Sequence, residues 1–252
     1  MTIHTSGLTR HFGATEVLNG VDLDLGPGIH GLLGRNGVGK STLLRIVAGQ
    51  LKPTSGTVEV FGQRPFDNAR VMDNTCLTGV DTAYPGWWSA ADVIKGARLR
   101  YRTWDQAIAD NLVADFALDA ALSTRYEKLS RGQRAMVSIV SGLASGTALL
   151  LLDEPYVGLD THNTSVFYRH LLAQAGSGRT IVMATHHIDD AAKVLDNAVI
   201  LGRDGVVVKQ CVPEDADRYA VAGPELVPID DAPRHARAAK FDDLIEHVLE
   251  VS

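Results

Sequence analysis

The chain has no long apolar run. Residues 148–152, among the longest, are five in number, against the roughly 20 that a membrane-spanning helix needs. The opening segment MTIHTSGLTR lacks the apolar centre of a secretory signal. These two absences predict a cytoplasmic protein without a membrane span of its own. Cysteine is scarce: Cys76 and Cys211 are too few for a disulfide framework and have no metal-ligand spacing around them. A reducing compartment fits them. Basic charge is not in excess either, and a net charge of −6 argues against a nucleic-acid partner, whose footprint would be positive. Internal repeats and low-complexity segments are absent as well.

What remains is ordinary for a soluble globular protein: 252 residues, 45% hydrophobic and 21% charged, enough to bury a sizeable core. The charge is unevenly placed. Residues 213–252 hold 10 acidic and 4 basic residues, which accounts for the whole net charge of −6, and 4 of the 9 prolines (Pro213, Pro224, Pro228, Pro233). This shift in composition predicts a boundary near residue 212, followed by an acidic extension. The extension ends in FDDLIEHVLEV, a short amphipathic helix whose apolar positions are Phe241, Leu244, Ile245 and Val248. It is either a regulatory or dimer-stabilising element, or a solvated end anchored by those four residues.

Strand signals alternate with helix signals, which predicts an α/β core. Val21, Leu23 and Leu25 alternate along a strand, and residues 29–33, 149–152 and 180–185 are short apolar strands. Asp204-Gly205 between two valine-rich runs predicts a hairpin. Residues 86–128 turn helical; Ile108, Leu112, Val113 and Phe116 share one face, with Thr103 as the expected N-cap.

Between the strand at 29–33 and the helix after it lies Gly34-Arg35-Asn36-Gly37-Val38-Gly39-Lys40-Ser41, followed by Thr42. This matches the phosphate-loop pattern G-x-x-x-x-G-K-[ST]. Glycines let successive N–H groups curl toward one anion, and the helix beginning at Ser41 adds its positive end. Lys40 supplies charge toward the outer phosphates, and the Ser41 hydroxyl can ligate Mg²⁺. A second acidic feature follows the strand at 149–152: Asp153 can hold Mg²⁺, and Glu154 can polarise an attacking water. Leu129-Ser130-Arg131-Gly132-Gln133 opens another helix, where Ser130 is either a plain N-cap or part of a second anion site.

Taken in order, GRNGVGKST, KLSRGQR, LLLLDEP, Gly158-Leu159-Asp160 and ATHH resemble the Walker A, signature, Walker B, D-loop and switch-histidine segments of ABC (ATP-binding cassette) nucleotide-binding domains. The resemblance covers about residues 3–210. It implies an ABC ATPase-like α/β fold: a P-loop NTPase core, an antiparallel β subdomain and a helical subdomain at about 86–145, all within residues 1–212. It also implies ATP and Mg²⁺ bound by the residues that match the family's motifs. Phe12 would stack on adenine, unless it is a core phenylalanine. Gly34, Asn36, Gly37, Val38, Gly39, Lys40, Ser41 and Thr42 would cradle the phosphates. Ser41 and Asp153 would serve the metal. Glu154 would be the general base, with His186 at the γ-phosphate and Lys40 assisting. Ser130, Gly132, Gln133 and Asp160 would act across a head-to-tail homodimer, completing the site of the other copy. His187 has no counterpart, and adjacent side chains near a strand end are expected to point apart, against a two-histidine metal site.

The sequence departs from the pattern at two places. Arg131 replaces a signature glycine and is expected to point to solvent. The Gln that the family places after the strand containing Cys76 is absent, since no glutamine occurs between Gln63 and Gln106. Asp81 or Thr82 stands nearest its place, Asp81 being able to coordinate the metal and Thr82 only weakly. Slow hydrolysis is one consequence. Trp87 and Trp88 follow where the family meets its membrane subunits; they either dock there or pack between core and helical insert. The resemblance thus implies the ATPase subunit of a transporter with separate transmembrane permeases, bound on the cytoplasmic face, and WDQAIADNLVADF resembles the export-type branch. The alternatives are a soluble non-transport ABC ATPase and a weakly hydrolysing regulatory subunit.

Overall fold

A computed structural model describes residues 1–233 and 236–251 of the chain. The N-terminal part is an antiparallel hairpin, β1 (Ile3–Phe12) and β2 (Thr15–Leu25). The fully buried Leu8 and Leu18 anchor it, while register shifts between Thr5 and His11 break the simple alternation of β1. Next come β3 (Gly28–Leu33), α1 (Lys40–Val47) and β4 (Ser55–Val60). β4 returns to β1, giving a three-stranded sheet in the order β2-β1-β4.

The larger sheet is built from β3 together with strands that arrive later. After α2 (Ala69–Asp73) come β5 (Thr75–Gly79) and the helical insert of α3 (Ala90–Arg100), α4 (Gln106–Asp115) and α5 (Arg131–Ala144). The chain then enters β6 (Leu149–Asp153), α6 (Thr161–Leu172), β7 (Thr180–Thr185), the short α7 (Ile188–Ala191), β8 (Asn197–Leu201) and β9 (Val207–Cys211). The strand order is β5-β6-β7-β3-β8-β9, parallel except for the β8–β9 hairpin at Asp204-Gly205. A parallel sheet covered on both faces needs unbroken apolar strands, and β6 is one. Leu150 and Leu152 pack with Val140, Phe167 and Met183 on one face. Leu149 and Leu151 pack with Leu43, Leu44 and Val182 on the other, beneath α1 and the antiparallel sheet.

Thr103 is not the N-cap of α4. Asp105 is: its Oδ1 accepts the Ile108 N–H at 3.0 Å, while the Thr103 hydroxyl donates to the Ser145 carbonyl at 2.7 Å. Asp105 sits one residue before the first helical turn, where a carboxylate also meets the positive helix end.

The C-terminal segment is packed rather than free. A 3-10 turn (Pro213–Arg218) leads to β10 (Tyr219–Ala222), β11 (Glu225–Pro228) and β12 (Arg237–Ala238), a small antiparallel sheet in the order β11-β10-β12. The last helix, α8 (Phe241–Glu250), buries Phe241, Leu244, Ile245 and Val248 in the cluster that holds Leu195, Ala198, Cys211 and Ala216. Ile245 is 0% exposed. Ile245→Ala should therefore cost about 2–5 kcal/mol, read as a lower urea midpoint for the whole chain. A midpoint equal to wild type would show that α8 does not share the core's cooperative unfolding.

Candidate functional site

The phosphate loop joins β3 to α1. Gly34 has φ 157 and Gly39 φ 109. Both lie where backbone approaches backbone: an added Cβ would meet the Leu201 carbonyl oxygen at 2.6 Å from Gly34, and the Val17 carbonyl oxygen at 2.8 Å from Gly39. The curl of the loop therefore depends on missing side chains. Arg35, Asn36 and Gly37 are exposed, Val38 is buried against the core, and Thr42 is half-buried on α1.

Lys40 opens α1 and is only 6% exposed. Its Nζ donates to the carbonyls of Gly34 (2.7 Å) and Arg35 (3.2 Å) and lies 3.5 Å from Glu154 Oε1. Burial pushes this ammonium below its ordinary pKa, and the Glu154 carboxylate opposes that shift. Ser41 Oγ donates to Asp153 Oδ1 at 3.0 Å. Burial pushes the Asp153 carboxyl up; the Ser41 hydrogen bond opposes this, and the neighbouring Glu154 charge adds to it. A hydroxyl and a carboxylate side by side make a hard-oxygen donor set that suits Mg²⁺, and the inward-curled loop suits phosphate, so both groups fit the residues present.

Glu154 directly follows β6 in a left-handed conformation, φ 47, with its N–H donated to the Ala184 carbonyl at 3.0 Å. This turn aims its carboxylate at the loop. Oε2 stands 2.9 Å from His186 Nδ1. Lys40, Ser41, Asp153, Glu154 and His186 thus converge, although they come from α1, β6 and the end of β7. Beside them is a cavity of about 520 Å³ lined by Phe12, Ser41, Arg45, Asp81, Asp153 and Glu154. Phe12 is not a core residue: it is 47% exposed, and the Arg10 guanidinium lies 4.4 Å from its ring centre. Asp81 has an exposed carboxylate, 3.9 Å from the Arg131 guanidinium. Thr82 is occupied locally, its Oγ1 accepting the Gly79 N–H at 3.0 Å.

The signature residues form a separate patch. Ser130 caps α5: its Oγ accepts the Gln133 N–H at 3.2 Å, and Gln133 Oε1 accepts the Ser130 N–H at 2.9 Å. Gly132 packs so closely on the D-loop that a Cβ would lie 2.5 Å from the Gly158 carbonyl oxygen. Asp160 caps α6, its Oδ1 accepting the Asn163 N–H at 2.8 Å. None of Ser130, Gly132, Gln133 and Asp160 lines either cavity beside the phosphate loop. His186 and His187 do not point apart: their ring centres are 4.1 Å apart. Both lie beyond the end of β7, where strand alternation no longer applies. Among the described residues no group of three or more His, Cys, Asp or Glu is placed to hold a metal ion.

A family model described as ABC transporter matches residues 18–157. This chain belongs to the ABC transporter family. Its matched portion holds the phosphate loop, the signature and Glu154, and stops short of Asp160 and His186. The daunorubicin/doxorubicin resistance ATP-binding protein of Streptomyces peucetius is 30% identical over 82% of this chain, which spans 64% of that relative's length. The petrobactin import ATP-binding protein of Bacillus anthracis is 30% identical over 84% of this chain and 82% of the relative. An ATP-binding cassette solved in a dimeric post-hydrolysis state with ADP and Pi superposes with a TM-score of 0.71 at 22% identity, over 83% of this chain and 98% of that one. The fold of the chain is that of an ABC ATPase cassette.

One wall of this ABC cassette's site had no signal in the motifs. A second cavity, about 440 Å³, is lined by Gly34, Arg35, Asn36, His186 and Ile188 and by Glu246, Leu249 and Glu250 of α8. The amphipathic pattern of α8 identifies it as a helix, but nothing local in the sequence brings it to the phosphate loop.

Proposed function

We propose that the chain binds Mg²⁺-ATP and hydrolyses it as half of a head-to-tail homodimer that powers separate transmembrane permease subunits. The observation that carries this is the convergence of Lys40, Ser41, Asp153, Glu154 and His186 at the mouth of the phosphate loop. Mg²⁺, when bound, neutralises charge that builds on the transferring phosphoryl group. Ser41 and Asp153 would hold it. Lys40 turns from Glu154 toward the phosphates. Glu154, freed of that ion pair and held in place by His186, takes the proton of the attacking water. Ser130, Gly132, Gln133 and Asp160 do not line the cavities beside this chain's own phosphate loop, so their role toward nucleotide belongs to a second copy. Asp81, exposed on the cavity rim, stands where the family's Gln would serve the metal, and slow turnover follows from the exchange.

The permease reading draws on Trp87 and Trp88, which take different roles. Trp88 is half-buried, with its ring 3.1 Å from where a Cβ on Gly96 would lie, whereas Trp87 is 74% exposed. Among the described residues no helix is long and apolar enough to cross a membrane, so a position on the cytoplasmic face would come through the permease. The resistance relative favours the export reading; the petrobactin relative, at equal identity, serves import. Affinity purification of the full chain from detergent-solubilised membranes should recover a permease, and Trp87→Ala should lower that recovery at least about tenfold if Trp87 anchors the interface. Recovery of no membrane protein by the wild-type chain would overturn the transporter reading and favour a soluble ATPase.

A further inference from the structure

The C-terminal helix stands on the nucleotide face of the cassette. α8 is fixed from behind by Leu244, Ile245 and Val248, which are buried, while Glu246 and Glu250 are exposed and line the cavity shared with Asn36 and His186. Asp189, at the start of α7, lies close enough to Glu246 to help hold its carboxyl above the ordinary range, after the larger effect of burial. Among the described residues Glu246, Glu250 and Asp189 form no ion pair. Glu246 shares a hydrogen bond with Asp189, and Arg35 lines the same cavity without forming an ion pair to either glutamate among the described residues. Carboxylates gathered beside the loop that receives a polyanionic nucleotide are costly, and a further cation there would offset that cost.

The signature segment of the same chain, which meets the rim of the phosphate-loop cavity at Asp81, has the complementary problem. Arg131 occupies the first turn of α5, where the helix end is positive and a guanidinium is disfavoured. Its side chain is 61% exposed, and the ion pair it makes is a 3.9 Å contact with Asp81, itself 89% exposed. Such a pair contributes little. Arg125 and Lys128 are exposed just before it, with the exposed Glu127 between them, so the segment leading into α5 is net positive.

We propose that α8 is part of the dimer face, and that Glu246 and Glu250 of one copy receive Arg131 of a second copy when ATP closes the pair. The inference rests on the head-to-tail reading, which sets the signature face of one copy against the phosphate-loop face of the other. α8 extends that phosphate-loop face by one helix, and the charges of the two faces then match. The departure at position 131 and the acidic extension become two halves of one contact. Leu249, on the cavity wall between the two glutamates, supplies the apolar surface under it.

The test uses full-length protein with Glu154→Gln, at saturating ATP, with dimer affinity measured by sedimentation. Adding Arg131→Glu should weaken the dimer at least about tenfold, as should adding Glu246→Arg together with Glu250→Arg. Each altered protein alone sets like charges against each other at both sites. An equimolar mixture of the two restores opposite charges at both sites, and should form a heterodimer with near-parental affinity. Recovery on mixing requires that both proteins fold, which keeps a folding defect from imitating the result. A mixture no stronger than its components would overturn the proposal while leaving the head-to-tail reading intact. A Glu154→Gln parent that stays monomeric in ATP would overturn both. A second measurement needs no charge reversal: Arg131→Cys mixed with Glu250→Cys should cross-link between copies under copper-phenanthroline only when ATP is present. The natural Cys76 and Cys211 are buried and give little background. Cross-linking that is absent, or independent of ATP, would overturn the contact.

Discussion

Glu154→Gln should yield a protein that still binds ATP, hydrolyses it at least about a hundredfold more slowly, and accumulates as an ATP-bound dimer. The argument begins with the backbone. Glu154 is held at φ 47, a conformation that costs a Gln no more than a Glu, and its N–H is fixed to the Ala184 carbonyl. The amide has the shape of the carboxylate, so His186 Nδ1, at 2.9 Å, keeps a partner. What the amide lacks is the basicity to take a proton from water. It also removes a negative charge beside Lys40 and the incoming γ-phosphate, which favours nucleotide retention. Binding and turnover should therefore separate: phosphate release falls while light scattering in ATP reports a stable dimer. Phosphate release at the wild-type rate would remove Glu154 from the role of base.

The parts legible in the sequence were those whose physics is local. The strands β3, β6 and β7 announce themselves because a strand covered on both faces must be apolar throughout, and the phosphate loop does so because its glycines, Lys40 and Ser41 fit within eight consecutive residues. Less of β1 was readable. Its register shifts around Gly7 break the period of two, so Ile3 and Leu8 do not alternate in a simple pattern. The cap of α4 is ambiguous in the sequence because Thr103 and Asp105 are both good caps, and the distant Ser145 carbonyl decides between them by claiming the threonine hydroxyl. The pairing of Lys40 with Glu154 joins residues more than a hundred positions apart, and no spacing rule reports it. Glu246 and Glu250 are further still from Asn36, and only the packing of Leu244, Ile245 and Val248 carries them to the loop.

Lys40→Met should separate binding from folding. The ammonium is 6% exposed, and burial already disfavours its charge. It is tolerated because two loop carbonyls, Gly34 at 2.7 Å and Arg35 at 3.2 Å, accept its protons and Glu154 lies 3.5 Å away. Methionine fills a similar volume without charge, so the desolvation cost is removed while those acceptors lose a donor, a loss of about 1–3 kcal/mol that the first effect offsets. The urea midpoint without nucleotide should consequently move little. Nucleotide binding has no such offset, because the phosphates gain no other buried cation from this loop. The affinity for ATP should fall by about 2–5 kcal/mol, at least about thirtyfold. ATP at a hundred times the wild-type Kd should then stabilise the wild-type chain by about 2.7 kcal/mol and the Met variant by far less. The two measurements together are diagnostic: a variant that loses its midpoint without nucleotide would make Lys40 a structural residue, and one that binds ATP within threefold of wild type would remove it from the phosphate site.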